Sequence, residues 1–387
     1  MKKKLMALVL SGVLFLQSAG MTYGADFSDG TEVEVYGDSE EFSDSDGTIP
    51  TEEPFTGGLN EEQKVQEETP EENEQDAESV TASQTSGTCG ENLKWELDNG
   101  TLTISGTGEM NSYICSKTPW YNSVRNIEKI VIKQGVTDIG GYAFSYCSSL
   151  TSITIPSGVT DIGESAFYGC SSLTSITIPS SVTDIGGSAF SDCSSLTSIT
   201  IPDSVTFIGG SAFYGCSSLT NITIPSRVTS IGDCAFAWCS RLTSITIPSS
   251  VTDIGGSAFS DCSSLTSITI PDRVTDIGGS AFRGCSSLTN ITMPSRVTSI
   301  SEYTFAGCSS LTSIVIPSRV TSIGWNAFSD CNNLKKITFP NSVTSVGYGA
   351  FYNSGKLSDI YYEGTEESWK KICIAKQNEC LTNAKIH

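Results

Sequence analysis

The chain has 387 residues, is 38% hydrophobic and only 17% charged, and carries a formal net charge of −21. That much apolar material supports a sizeable core, and abundant Ser, Thr and Gly favour short strands and turns over long helices. The acidic balance argues against a nucleic-acid partner, because such binders draw their affinity from a basic face.

The opening run MKKKLMALVLSGVLFLQSAGMTYGADF joins three lysines to an apolar stretch from Leu5 to Leu16 and then to small residues. This is the pattern of a secretory signal peptide, assigned to residues 1–25. The stretch is shorter than the about 20 residues of a membrane-spanning helix, and no later segment is apolar enough. The mature chain is therefore expected to be secreted or held at a cell surface, without a transmembrane segment. Residues 26–87 follow as an acidic spacer, in which 20 Asp and Glu stand against Lys64 alone. Like charges repel and apolar side chains are too few to offset chain entropy, so the spacer is expected to be disordered. Its fragment DSDGTIPTEE echoes a calcium loop, but Phe42 takes the place of the first acidic ligand and Pro50 interrupts the ring, so no metal is expected there.

Residues 88–126 read as an N-terminal cap. CGENLKWELDNGTLTISGTGEM places Trp95 and Leu97 opposite Leu102 and Ile104 across an Asn99-Gly100 turn, the signature of a hairpin. From residue 127 to 353 the chain repeats. Phe144, Phe167, Phe190, Phe213, Phe236, Phe259, Phe282, Phe305, Phe328 and Phe351 are each 23 residues apart. In the unit CSSLTSITIPSSVTDIGGSAFSD, LTSITI alternates like a strand and Pro179 ends it by withdrawing a backbone donor. Gly186 and Gly187 then allow a bend, and SAFSD forms a tight return. One unit makes one coil, and about ten coils stack into a solenoid with a continuous parallel sheet. Residues 178–193 are identical to 247–262, a spacing of three units, so the array grew by copying three coils together. In residues 354–387, a C-terminal cap, Ser354 replaces the next cysteine, and LSDIYYEGTEESWKKICI turns from strand pattern to a short helix that would lay Trp369 and Ile372 over the last coil.

Nine cysteines share the repeat phase: Cys147, Cys170, Cys193, Cys216, Cys239, Cys262, Cys285, Cys308 and Cys331. Nine is odd, and side chains of stacked coils point the same way, whereas a disulfide needs opposed vectors. A ladder of reduced, buried thiols, each near a backbone carbonyl, is expected instead. Bridges between Cys89 and Cys115 and between Cys373 and Cys380 stay open, and Cys234 falls where other units have serine. Neither CxxC pairs nor histidine spacing offers a metal or cofactor site.

The repeat, with Cys, Leu, Ile, Ile-Pro, Val, Ile-Gly and Ala-Phe at fixed places, closely resembles the BspA-like, Treponema-type leucine-rich repeat of bacterial surface proteins. The resemblance implies a right-handed parallel solenoid, and a role in adhesion to host extracellular proteins or to other cells. It transfers no binding residues, because the shared motif is made of core positions.

Catalysis finds little support. His387 is the single histidine, at a position expected to fray, and Asp138, Asp161, Asp184, Asp253 and Asp276 recur as turn residues recurring in phase, each expected to bond its own backbone. The enzyme class is therefore set aside. Binding has three candidate surfaces. Thr154, Thr177, Thr200, Thr223, Thr246, Thr269 and Thr292 form an outer row on the sheet. The turns vary more: Arg227, Arg273, Arg296 and Arg319 follow the Ile-Pro step, while Tyr168, Tyr214, Trp238, Tyr303 and Trp325, with Tyr146, Tyr348 and Tyr352, lie around the Ala-Phe step. Arg, Tyr and Trp are the types most enriched at binding hot spots. The expected partner is a protein or glycan on a host or microbial surface. The alternative is a structural spacer, or a glycan-binding envelope component without a specific protein partner.

Overall fold

The computed structural model describes residues 85–387, together with the backbone of three short strands nearer the start. Those strands, Met6–Leu10, Val13–Ser18 and Met21–Asp26, pair antiparallel within a first unit, Met1–Ala77. They overlap the stretch read as a leader. The leading lysines and the acidic spacer up to residue 84 lie outside the described residues.

In the second unit, Glu78–His387, the described residues form a parallel β-solenoid. Each coil gives a three-residue strand to a first ladder, in register with the residue 23 places on: Ser175 pairs with Ser198, Ile176 with Ile199 and Thr177 with Thr200. Ile176 is buried while Ser175 and Thr177 face outward, so the period-2 pattern of SIT buries one residue per rung.

Where the sequence suggested only a bend, the structure has a second parallel ladder. Asp184–Ile185 pairs with Asp161–Ile162 on one side and Phe207–Ile208 on the other. Flanking bonds lengthen it, from Thr183 N–H to the Thr160 carbonyl and from Gly186 N–H to that of Ile162, both 2.8 Å. Two residues are too few to show an alternating pattern, which is why this ladder was not legible in advance. Gly186 is glycine for a reason other than turning the chain. A Cβ there would come within 2.6 Å of the Glu164 nitrogen in the preceding coil, so its role is close approach between coils.

The return segment spends its hydrogen bonds in two directions. Ala189, Ser191 and Cys193 N–H groups close local turns onto Gly186, Ser188 and Phe190, while Ser188, Phe190 and Asp192 N–H groups reach the carbonyls of Gly210, Ala212 and Tyr214 in the next coil. This alternation needs two left-handed residues per coil, here Ser188 (φ 54°) and Asp192 (φ 56°). Every backbone donor in the segment is thereby satisfied.

Inside, the ten repeat phenylalanines form one column. Ring centroids of successive members are 5.2 to 5.6 Å apart, and each ring is fully buried. The leucine, isoleucine and valine positions pack round them, so a coil buries both of its faces only through its neighbours.

Both ends continue the ladders. Leu93–Asp98 and Thr101–Gly106 form a hairpin about Asn99 (φ 43°) and Gly100 (φ 74°), the paired positive values of a type I′ turn. Thr101–Gly106 then runs parallel to Lys129–Ile132, so the hairpin is the first rung. Trp120 extends the ring column, with its centroid 6.0 Å from Phe144 and its indole N–H donating to the Ala143 carbonyl at 2.9 Å. At the other end Asp359–Tyr362 and Lys385–Ile386 add two rungs to the first ladder, and Cys373–Ile374 adds one to the second. The covering helix is one turn, Glu366–Trp369, capped by Thr365, and Trp369 meets Phe339 edge to face with ring centroids 5.5 Å apart; a second turn, Glu379–Thr382, follows.

Candidate binding surface

The nine in-phase cysteines are all buried and all fourteen cysteines are free. Cys170 Sγ donates to the Phe144 carbonyl at 3.2 Å, and the bond recurs coil by coil to Cys331 on Phe305. At the break in the pattern, Ser354 Oγ makes the equivalent bond to Phe328 at 2.7 Å. Burial pushes the Cys147, Cys193, Cys239 and Cys331 thiols up to about 12, so they stay protonated at neutral pH and are poor nucleophiles. Neither cap bridge left open by the sequence is present: Cys89 is buried while Cys115 is exposed, and Cys373 is exposed while Cys380 is half-buried.

His387 is not frayed. Its N–H donates to the Ile360 carbonyl at 2.8 Å, and its Nε2 lies 2.7 Å from Asp359 Oδ1. Ser358 Oγ donates to Asp359 Oδ2, not to the imidazole, so the three polar side chains lack the order of a nucleophile and its base. These two bonds hold the Asp359 carboxyl below its ordinary range, the serine contributing most. Among the described residues no group of three or more His, Cys, Asp or Glu could hold a metal ion.

The recurring aspartates are strand residues, correcting their reading as turn residues. Asp138, Asp161 and Asp184 stack in register on the second ladder. Asp161 and Asp184 accept from the hydroxyls of Thr160 and Thr183 at 2.6 Å, rather than from their own backbone. Farther along, the same rung position holds Phe207, Ser230, Asp253, Asp276, Ser299, Ser322 and Ser345.

The threonine row, from Thr154 to Thr292, is exposed along the first ladder and gives way to exposed Val315 in the next rung. All four candidate arginines are exposed in the turn before the second ladder. Among the described residues Lys370 pairs with Glu366 and His387 is hydrogen-bonded to Asp359, both in the C-terminal cap, and Arg227, Arg273, Arg296 and Arg319 make no such contact there. The aromatics divide. Tyr168 and Tyr214 are half-buried, and Tyr168 sets its ring against that of Tyr146 at 5.1 Å. Trp325 (58%), Trp238 (53%), Tyr348 (47%) and Tyr303 (39%) keep large exposed fractions. Sequence reasoning passed over Phe207 and Val315, whose exposure follows from ladder positions that only the three-dimensional register reveals.

Trp238 (φ 61°) and Tyr303 (φ 54°) occupy left-handed positions. The site of Trp238 is glycine in four other coils, Gly169, Gly215, Gly284 and Gly307. A bulky side chain there costs about 1–2 kcal/mol of backbone energy, so these rings are retained against local preference.

Against known proteins, the model for the BspA type leucine rich repeat region matches at residues 116–242, 206–310, 229–358 and 298–381. The chain belongs to the BspA-type leucine-rich repeat family. A leucine rich cell surface protein from Faecalibacterium prausnitzii A2-165 is 30% identical, with 76% of this chain and 99% of that one covered and a TM-score of 0.45. Leucine-rich repeat proteins from Eubacterium ventriosum ATCC 27560 and Bacteroides ovatus ATCC 8483 are each 26% identical, covering 78% and 77% of this chain, 95% and 98% of theirs, with TM-scores of 0.49 and 0.46. No curated protein matches. No helix among the described residues is long and apolar enough to cross a membrane.

Proposed function

We propose that this BspA-type repeat protein is an exported binding protein, adhesin-like, that engages a surface partner through the varied turns beside its second ladder. The observation that carries this is the set of four exposed arginines without ion-pair partners among the described residues, in coils whose interiors are nearly invariant. A side chain held exposed and unpaired against an unchanging scaffold is available for recognition, and Arg is the charged type most enriched in hot spots. The lysine-led apolar leader supports export. The relative from Faecalibacterium prausnitzii is described as a cell surface protein, which favours the same location. Catalysis has no support from the buried ladder thiols, which burial keeps protonated, or from His387, whose partner is a cap carboxylate.

The test is binding of the mature chain to immobilised extracellular-matrix proteins, cells and glycans. Saturable binding that is lost in the quadruple Arg→Ala variant at 227, 273, 296 and 319 supports the proposal. Binding to no member of the panel, or binding indifferent to that variant, contradicts it.

A further inference from the structure

Three successive coils, beginning at Cys285, Cys308 and Cys331, form a run of serine rungs on the second ladder, where Ser230 stands singly earlier in the array. Their rung residues are Ser299, Ser322 and Ser345, paired in register, where the early coils place Asp138, Asp161 and Asp184. Just before these rungs stand Arg296 and Arg319, one coil apart and free of ion pairs among the described residues. Just after them stand Tyr303, Trp325 and Tyr348. The backbones of these three are joined, Tyr303 N–H donating to the Trp325 carbonyl at 2.9 Å and Asn326 N–H to that of Tyr348 at 3.0 Å. None of the three rings stacks on another ring among the described residues, and all are exposed. Between the arginines and the aromatics lies a strip of exposed Thr298, Thr321 and Thr344 with the three serines, in which the Thr321 and Thr344 hydroxyls donate to the Thr298 and Thr321 carbonyls and keep their oxygens as acceptors. The carboxylates of these coils are Glu302, whose Oε1 lies close to Gly279 of the preceding coil, and Asp330, which accepts from Asn353 Nδ2 at 2.7 Å.

The face therefore offers cations on one border, open aromatic faces on the other, hydroxyls between, and acid removed from the middle. A pyranose ring presents its C–H face to an aromatic ring and its hydroxyls to Ser and Thr, and a uronate or sulfate group completes the match to arginine. The elements recur at the coil spacing of about 4.8 Å, and a repeating row recognises a repeating ligand. We propose that this strip, Arg296, Arg319, Tyr303, Trp325 and Tyr348, binds an anionic polysaccharide. This rests on the binding role proposed above and names the ligand class of one part of that surface. The aspartate row on the same face of the early coils repels such a ligand, so the site is confined to the late coils.

The experiment measures binding of the mature chain to heparin, which is sulfated, to hyaluronan, which carries uronate alone, to neutral dextran and to poly-glutamate. Expected is saturable, salt-sensitive binding to heparin, hyaluronan or both, with none to dextran or poly-glutamate. Sulfate and carboxylate recognition are separated by which of the first two binds. The Arg296→Ala/Arg319→Ala pair and the Trp325→Ala/Tyr348→Ala pair should each weaken binding by about tenfold or more, the scale of a lost hot spot, and Arg241→Ala, at an exposed arginine outside the proposed binding set, should not. All of these side chains are exposed, and continued protection of the buried thiols from alkylation verifies the fold of each variant. Binding to neither anionic glycan, equal binding to poly-glutamate, or unchanged affinity in the aromatic pair overturns the inference. Binding to a matrix protein without binding to either glycan overturns this inference while leaving the proposed function standing.

Discussion

The coils beginning at Cys147 and Cys170 and those beginning at Cys285 and Cys308 share an interior and differ on the outside. Phe167 and Phe190 stack at 5.3 Å, as do Phe305 and Phe328. Cys193 donates to Phe167 at 3.3 Å and Cys308 to Phe282 at 3.2 Å. On the second ladder, however, the early coils carry Asp161 and Asp184 and the later ones Ser299 and Ser322, with Arg296 and Arg319 ahead and Tyr303 and Trp325 behind. A solenoid separates these two kinds of constraint cleanly. Stability is set by nearest-neighbour contacts that every coil must repeat, while the turns are free to diverge, and net negative coils give way to neutral ones along a solenoid whose core does not change.

That separation can be broken. The largest effect should come from the phenylalanine column: Phe190→Ala and Phe305→Ala should each cost about 3–5 kcal/mol, equally in the two regions, read as a loss of hydrogen-exchange protection in the mutated coil and its neighbours. A marked difference between them would show that the cores are not equivalent. The thiols sharpen the same point. In native alkylation Cys115 and Cys373 should react first and all nine ladder thiols should stay protected, early and late coils alike; selective labelling of late thiols would reveal a looser C-terminal region.

Surface changes should be smaller. Trp238→Gly should be more stable than Trp238→Ala by about 1 kcal/mol in thermal or urea unfolding, because the left-handed backbone there suits glycine. Asp192 brings a pH signature to the early coils. Burial raises its carboxyl, against a lowering bond from Tyr168. A raised folded value means that the ionised form costs stability, a cost that grows as pH rises through and above the ordinary carboxylate range near about 4. Asp192→Asn should therefore unfold at higher temperature than the parent at neutral pH, with the gap closing in acid. The smallest effect is electrostatic: Asp161→Ser should raise the melting temperature slightly at low salt, by relieving like charges stacked on Asp138 and Asp184, and the gain should vanish at high salt.

Much of the scaffold was legible because its signals are periodic. The 23-residue return of Phe, Cys and Ile-Pro defines coil, core and register without reference to coordinates, and SIT announces the first ladder by alternation. The second ladder was hidden because two-residue strands such as Asp184–Ile185 have no period. Its absence from the sequence reading also misplaced the aspartates, which sit on strands, and the reason for Gly186, which is contact between coils. In the C-terminal cap Trp369 was visible as a covering side chain, but Cys373–Ile374 and Lys385–Ile386 are too short and too polar to announce themselves as rungs. The surface residues were found by type and by deviation from the repeat. Which of them share a face was not, since Arg319 and Trp325 flank one rung only once that rung is known to be a strand.

The central claim is that fold belongs to the repeated interior and recognition to the late coils, and two deletions test it most directly. Residues 178–246 and residues 270–338 are each three whole coils, and either can be removed with the repeat kept in phase. Binding of both shortened chains to the partner of the intact protein should be measured beside their thiol protection. The account predicts two folded solenoids, of which the first, lacking Arg227 but keeping Arg273, Arg296 and Arg319, retains most of its binding, and the second, lacking those three with Tyr303 and Trp325, loses it. Equal binding by both would contradict it.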